Sequence, residues 1–180
     1  INNLVQVEGT PLAGTDALVQ QGAQLLVLGS GDATLEAAFT DKARQHPGRV
    51  AVRLGYDEAL SHRLFAGGDV TLVPSRFEPC GLTQIYGLRY GCLPVVARTG
   101  GLNDTVIDAN DAALQAGVAT GFQFAPVDQP SLEHALARAA ACFGDKALWR
   151  GMQTRAMAAD VSWGRSAAVY AGLYRNLLKA

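Results

Sequence analysis

The sequence predicts a doubly wound α/β fold with a mostly parallel sheet, and three observations carry that prediction. From residue 24 onward, short apolar runs alternate with segments of helical length. Runs such as Leu25-Leu26-Val27-Leu28 and Leu93-Pro94-Val95-Val96 lack the polar alternation of a half-exposed strand. The runs end in glycine, proline or serine punctuation. Unbroken apolar strands imply a sheet covered on both faces, with right-handed crossovers through helices.

The elements follow in order. "QLLVLGSGD" (24–32) reads as a buried strand ending in a tight turn, and "ATLEAAFTDKARQH" (33–46) as a helix that Pro47 stops. Asp32 has the chemistry of its N-cap. "RVAVRLG" (49–55) is the next strand, "YDEALSHRLFAGG" (56–68) a helix with a closing glycine pair, and "DVTLVPS" (69–75) a third strand. "GLTQIYGLRYG" (81–91) is read as a helix and "LPVVAR" (93–98) as a strand, followed by "TGGLNDTV" (99–106) as a glycine-rich turn. A short strand is expected at "TGFQF" (120–124), then helices over 131–142, 146–159 and 163–179. The last spaces Trp163, Ala167, Tyr170, Ala171, Tyr174 and Leu178 along one face and therefore needs a partner surface.

At 180 residues with 49% hydrophobic composition the chain supports one ordinary core. Residues 1–23 stand apart as a divergent or truncated segment with weak periodicity, and Ile1 without a preceding Met reads as a cut boundary. Fifteen basic against sixteen acidic residues leave a net charge of −1, so neither a nucleic acid nor an acidic membrane is an expected partner. Cys80, Cys92 and Cys142 have no CxxC or zinc-type spacing, which argues against a disulfide framework and a structural metal and for a reducing, intracellular compartment. His46, His62 and His134 are not arranged with carboxylates as a metal site and are read as structural. No apolar run approaches the ~20 residues that span a bilayer.

In open parallel sheets ligands bind in the loops beyond the carboxyl ends of the strands. "GSGDATLE" lacks a third glycine, with Thr34 in its place, and is read as a strand-to-helix turn instead of a dinucleotide cradle. "SRFEPCGLTQIYGLRYG" (75–91) is more informative. Pro79 cannot donate, Gly81 lets a ligand approach the backbone, and the amides of Gly81, Leu82 and Thr83 would open a helix and attract a diphosphate. Thr83 adds a hydroxyl. Glu78 would repel phosphate but accept from hydroxyls, so a ligand with phosphates at one end and hydroxyls at the other, a nucleotide sugar, suits the stretch. The competing reading makes Glu78 a capping or helix-dipole carboxylate, although Glu is a poor N-cap; on residue chemistry the two weigh equally.

The stretch 75–106 closely resembles the bacterial glycogen synthases and plant starch synthases. Further similar stretches are "LGSGD" (28–32), "LGYDEALSHRLFAGGDVTLVPS" (54–75), "ATGFQF" (119–124) and "DVSW" (160–163). The resemblance implies that residues 24–180 form the C-terminal, Rossmann-like, nucleotide-sugar-binding domain of a two-domain GT-B glycosyltransferase. It further implies a bacterial, cytoplasmic enzyme that transfers glucose from ADP-glucose to the non-reducing 4-hydroxyl of an α-1,4-glucan with retention, with ADP-glucose as substrate and no cofactor.

By the same resemblance Glu78 is the catalytic-site residue against the glucose hydroxyls, Gly81, Leu82 and Thr83 bind phosphate and sugar, and Tyr56 stacks on adenine. Cys80 lines the site without acting as a nucleophile. Many GT-B relatives carry a second Glu eight positions after the first; here that position is Tyr86, so no acid/base pair is implied, since one carboxylate cannot fill both roles. The family's N-terminal domain, with its Lys-Thr-Gly-Gly-Leu motif, and its Ser-Arg-Leu-Thr run followed by Lys-Gly have no counterpart in these 180 residues. The isolated chain is therefore expected to bind ADP weakly and not to transfer glucose. Two alternatives remain: a non-catalytic adenine-nucleotide-binding module, and another GT-B enzyme with a different acceptor.

Overall fold

The computed structural model describes residues 10–178, with side chains from residue 14 onward. The chain runs α1 (Thr10–Gln20), β1 (Leu25–Gly29), α2 (Ala33–Gln45), β2 (Val50–Leu54), α3 (Glu58–Gly67), β3 (Val70–Val73), α4 (Thr83–Tyr90) and β4 (Leu93–Ala97). It continues through α5 (Gly100–Thr105), α6 (Asp111–Gln115), β5 (Phe122–Phe124), α7 (Gln129–Gly144), α8 (Lys146–Ala158) and α9 (Trp163–Leu177). The mixed α/β class and its parallel pairing are those the sequence predicts. Among the described residues the strands pair in two parallel groups, β1 with β2 and β3–β4–β5.

β4 is the centre of the fold. Leu93, Val95 and Ala97 face one side, where they meet Phe122, Leu132, Leu136, Trp149 and Met152. Val96 faces the other, with Val73, Leu102 and Val106. All five residues of β4 are buried, as an apolar run without alternation requires. β1 and β2 depart from that expectation: Leu26 is 57% and Leu54 is 44% exposed. The helices packed on this pair are α1 and α2, which leaves much of its apolar surface uncovered among the described residues.

Local chemistry accounts for most element boundaries. Asp32 caps α2 by accepting from the amides of Thr34 and Leu35, Asp57 caps α3 through Leu60, and Asp128 caps α7 through Ser131. Gly91 ends α4 in the left-handed conformation at φ 71°. Gly87 in the middle of α4 costs roughly 1 kcal/mol of helix propensity. A side chain there would meet Thr71 Cγ2 at 2.6 Å and the Cys92 carbonyl at 2.8 Å, so the glycine lets α4 lie closely on the sheet.

Two findings go beyond the periodicity. α1 forms inside the segment set apart by sequence, and tertiary contacts hold it: a β-carbon on Gly14 would reach Leu132 of α7 at 3.8 Å, Thr15 is buried, and Asp16 bonds both Lys42 and His46. Residues 1–9 of that segment lie outside the described residues. "TGGLNDTV" is also not a turn; it opens α5, because the two glycines pack against the neighbouring loop as described below. α9 matches its expected range through Leu177 and buries none of its residues, with Trp163, Val169, Tyr170 and Tyr174 exposed. No helix among the described residues is long and apolar enough to cross a membrane.

Candidate functional site

The loops that follow the strands carry the predicted residues. After β1, Asp32 is occupied as the α2 cap, and the Gly31 amide donates to Glu36 Oε1 at 2.9 Å. That bonding matches the turn reading of "GSGD". After β2, Gly55 takes φ 109° and Tyr56 stands 74% exposed, directly before the α3 cap Asp57. An exposed ring on a loop held between a glycine and a cap offers a face for stacking.

The loop after β3 runs from Pro74 to Leu82. α4 begins at Thr83 with Leu82 as its N-cap residue, and no side chain caps it. Two consequences follow. The helix opens two residues later than the sequence pattern predicts, so the first-turn amides are those of Thr83, Gln84 and Ile85. Glu78 is also not the cap, so of the competing reading only the helix-dipole part is left beside the site reading. The Glu78 side chain is half-buried, and among the described residues no hydrogen bond or ion pair engages its carboxylate. Cys80 and Leu82 are exposed, and Thr83 is half-buried at the helix start.

Gly81 adopts φ 74°, and a β-carbon on it would collide with the Gln84 amide. Tyr86, one turn into α4, is only partly open: its ring lies 6.0 Å from that of His62 and 5.9 Å from that of Phe65, both on α3. Tyr90 extends the cluster, its hydroxyl 3.0 Å from His62 Nδ1. These rings tie α3, which carries the Tyr56 loop at its start, to α4, which carries the Glu78 loop. Tyr56 and Glu78 thus sit on the loops that lead into two helices packed on each other.

α5 supplies the part of the site that the sequence pattern does not reveal. The Gly101 amide donates to the carbonyls of Glu78 and Pro79, both at 3.2 Å. A β-carbon on Gly100 would run into the Glu78 carbonyl, and one on Gly101 into the Cys80 carbonyl. The double glycine is therefore a contact surface for residues 78–80. Gln84, fully buried, donates from Nε2 to the carbonyls of Cys80 and Gly81 at 3.0 Å each and to Thr105 Oγ1 at 3.2 Å. Gln123 anchors α5 from behind, donating to the carbonyls of Asn103 at 3.1 Å and Val106 at 2.6 Å. Gly101 and Thr105 carry no local signature; for Gln84 and Gln123 the one sequence signal is an amide side chain set among apolar residues.

The remaining cysteines behave as core. Burial, with Asp69 nearby, pushes the Cys92 thiol up to about 12, and burial also raises Cys142. Beside β5, a pocket of about 370 Å³ is lined by Arg98, Asp108, Gln123, His134 and Arg138 among others. Its charges are largely paired internally: Arg138 bonds both Asp108 oxygens at 3.0 Å, and Arg98 Nε donates to Gln123 Oε1.

A parallel α/β unit with polar loops after its strands and a carboxylate beside a helix start is compatible with the Rossmann-like half of a GT-B glycosyltransferase. The catalytic domain of starch synthase IV from Arabidopsis thaliana, solved with ADP and acarbose, superposes with a TM-score of 0.81 at 35% identity, over 93% of this chain and 35% of that one. A glycogen synthase of Novosphingobium aromaticivorans is 61% identical over 163 residues, 91% of this chain and 34% of its own length. Glycogen synthase 2 of Rhizobium meliloti is 54% identical over 180 residues, 99% of this chain and 37% of its own. No protein-family model matches. By sequence and fold the chain is similar to the glycogen and starch synthases, and it spans about a third of the length of the curated relatives it matches.

Proposed function

We propose that the chain is the donor-binding, C-terminal half of an ADP-glucose-dependent glycogen synthase. The observation that carries this reading is the half-buried Glu78 carboxylate, neither a cap nor ion-paired among the described residues, next to the α4 start. A diphosphate set at the amides of Thr83, Gln84 and Ile85 gains from the positive end of the helix. The glucose hydroxyls then fall to Glu78, which accepts their protons and stays clear of the phosphates. Tyr56 offers its ring to the adenine, Gly81 leaves space for close approach, and Cys80, Leu82 and Tyr86 border the sugar. The starch synthase neighbour holds ADP, which supports an adenine nucleotide here.

In the parent reaction the bond from glucose C1 to the ADP oxygen breaks, and the 4-hydroxyl of an α-1,4-glucan end bonds to C1 on the same face. The hydroxyl proton passes to the departing diphosphate. Glu78 holds the sugar while charge develops. It has no carboxylate partner eight residues on, where Tyr86 stands, so it does not serve as half of an acid/base pair. The diphosphate also needs cationic partners from elsewhere in the protein, so the 180 residues alone bind ADP weakly and do not transfer glucose.

The test is Glu78→Gln in the full-length protein. Turnover falls by roughly a hundredfold or more while ADP affinity, read by calorimetric titration, changes little. Equal losses in both would make Glu78 structural. Titration with ADP-glucose against UDP-glucose checks the donor, and glucose transfer by the isolated chain would overturn the half-site reading.

A further inference from the structure

We propose that Gln84 is a positioning residue for Glu78, acting with Thr105 through a closed hydrogen-bonded ring that joins the β3/α4 loop to α5. The inference rests on the donor-site reading of Glu78 and assigns the groups that hold it in place.

The orientation of the Gln84 amide is forced. Nε2 faces three acceptors: the carbonyls of Cys80 and Gly81 and the hydroxyl oxygen of Thr105. Reversing the amide would set Oε1 against two carbonyl oxygens that cannot donate. The Thr105 hydroxyl has spent its own proton on the Gly101 carbonyl at 2.6 Å. It therefore meets Gln84 as an acceptor.

The ring closes through the backbone. Gly101, whose carbonyl Thr105 holds, donates its amide to the carbonyls of Glu78 and Pro79. Residues 78–81 are thus gripped at both ends, by Gly101 on the Glu78 side and by Gln84 on the Cys80 and Gly81 side. α5 itself cannot drift, because Leu102 is fully buried against Val73, Val96 and Val106, and Gln123 holds the carbonyls of Asn103 within it and of Val106 at its C-cap.

One further observation separates positioning from simple packing. Gln84 Oε1 is buried without a hydrogen-bond partner. An apolar side chain of similar shape, such as methionine, would fill the volume without an orphaned acceptor. What only the amide supplies is the pair of Nε2 protons, shared among two carbonyls of the loop that carries Glu78 and the Thr105 hydroxyl oxygen on α5. A group within a reaction centre tolerates little displacement, so losing this grip shows in turnover more than in folding.

The experiment compares Gln84→Met, Thr105→Val and Thr105→Ser in the full-length protein. Gln84→Met and Thr105→Val are expected to lower kcat by about tenfold or more, with KM for ADP-glucose moved less than about threefold. Thr105→Ser, which keeps the hydroxyl, restores most of the rate. An unchanged kcat in Gln84→Met, or no rescue by serine, overturns the proposal. If the wild-type protein does not use ADP-glucose, the donor reading fails on its own, and the ring is read by hydrogen exchange. The Gly101 amide then exchanges roughly tenfold faster in Gln84→Met and Thr105→Val than in wild type, and equal exchange refutes the ring.

Discussion

The amide of Gly101 lies 3.2 Å from the carbonyl of Glu78, a bond between residues that are adjacent only because β3 and β4 lie side by side. A β-carbon at Gly101 would sit 2.7 Å from Cys80 Cα and closer still to its carbonyl oxygen. Gly101→Ala is expected to destabilise the chain by about 1–3 kcal/mol through forced displacement of residues 78–80. Urea unfolding reads the loss. Gly67→Ala, where nothing lies within 4 Å, is the control and should leave the midpoint nearly unchanged.

Asp108 is held by Arg138 and also accepts from the Gln123 main-chain N–H at 2.8 Å, with only 13% of its side chain exposed. Removing the cation leaves a mostly buried carboxylate short of its main partner. Arg138→Ala should cost about 3 kcal/mol, since breaking a buried pair from one side exposes the desolvation penalty of the other. A smaller loss in the double variant Arg138→Met with Asp108→Asn than in Arg138→Ala alone would identify the stranded charge as the cause. Chemical denaturation distinguishes the two.

Asp16 joins α1 to α2, with hydrogen bonds from Lys42 and from His46 holding its carboxyl below its ordinary value of 3.8. A carboxylate depressed in the folded state contributes stability that is present above its unfolded value and is lost as pH falls through the folded one. The wild-type chain should therefore lose stability more steeply than Asp16→Asn below about pH 4. The side chain is 44% exposed, so screening keeps the difference under about 1 kcal/mol. Urea midpoints taken between pH 6 and pH 3 measure it, and parallel curves would show the pair to be inert.

The three thiols differ in access. Cys80 is exposed on the Glu78 loop, whereas Cys92 and Cys142 are buried. With its thiol near 12, Cys92 is roughly one part in ten thousand thiolate at pH 8, and thiolate is the reactive form. Ellman's reagent should find one fast thiol in the folded chain and three after unfolding in urea. Loss of the fast thiol in Cys80→Ser assigns it, and on the proposed donor-site reading ADP added to the full-length protein slows it.

Much of this architecture is legible in the sequence because the signals are local. The apolar runs of β1, β2, β3 and β4, the cap Asp32 and the helix end at Gly91 each rest on residues within a few positions of one another, whereas the Asp57 cap of α3 emerges only in the structure. Short elements escape that logic. α5 and α6, at six and five residues, are too brief to show a helical period, and the glycines at the head of α5 read as a turn. α1 carries little periodicity and is held by Asp16 and the close approach of Gly14 to Leu132.

The sequence by itself determined the fold class and the order of the longer elements, and it singled out the Glu78 loop, where residue chemistry left a helix-terminal carboxylate and a nucleotide-sugar site in equal balance. The tertiary structure decided that α4 starts at Thr83, that Glu78 is not its cap, and that Gly100 and Gly101 form the surface on which residues 78–80 rest. It also decided that Gln84, Thr105 and Gly101 close a ring around that loop. The division has a physical basis. Caps and periodicity act over one or two turns of chain, whereas the ring joins groups about twenty residues apart, and their alignment exists only once β3 and β4 have paired and α5 has packed against them.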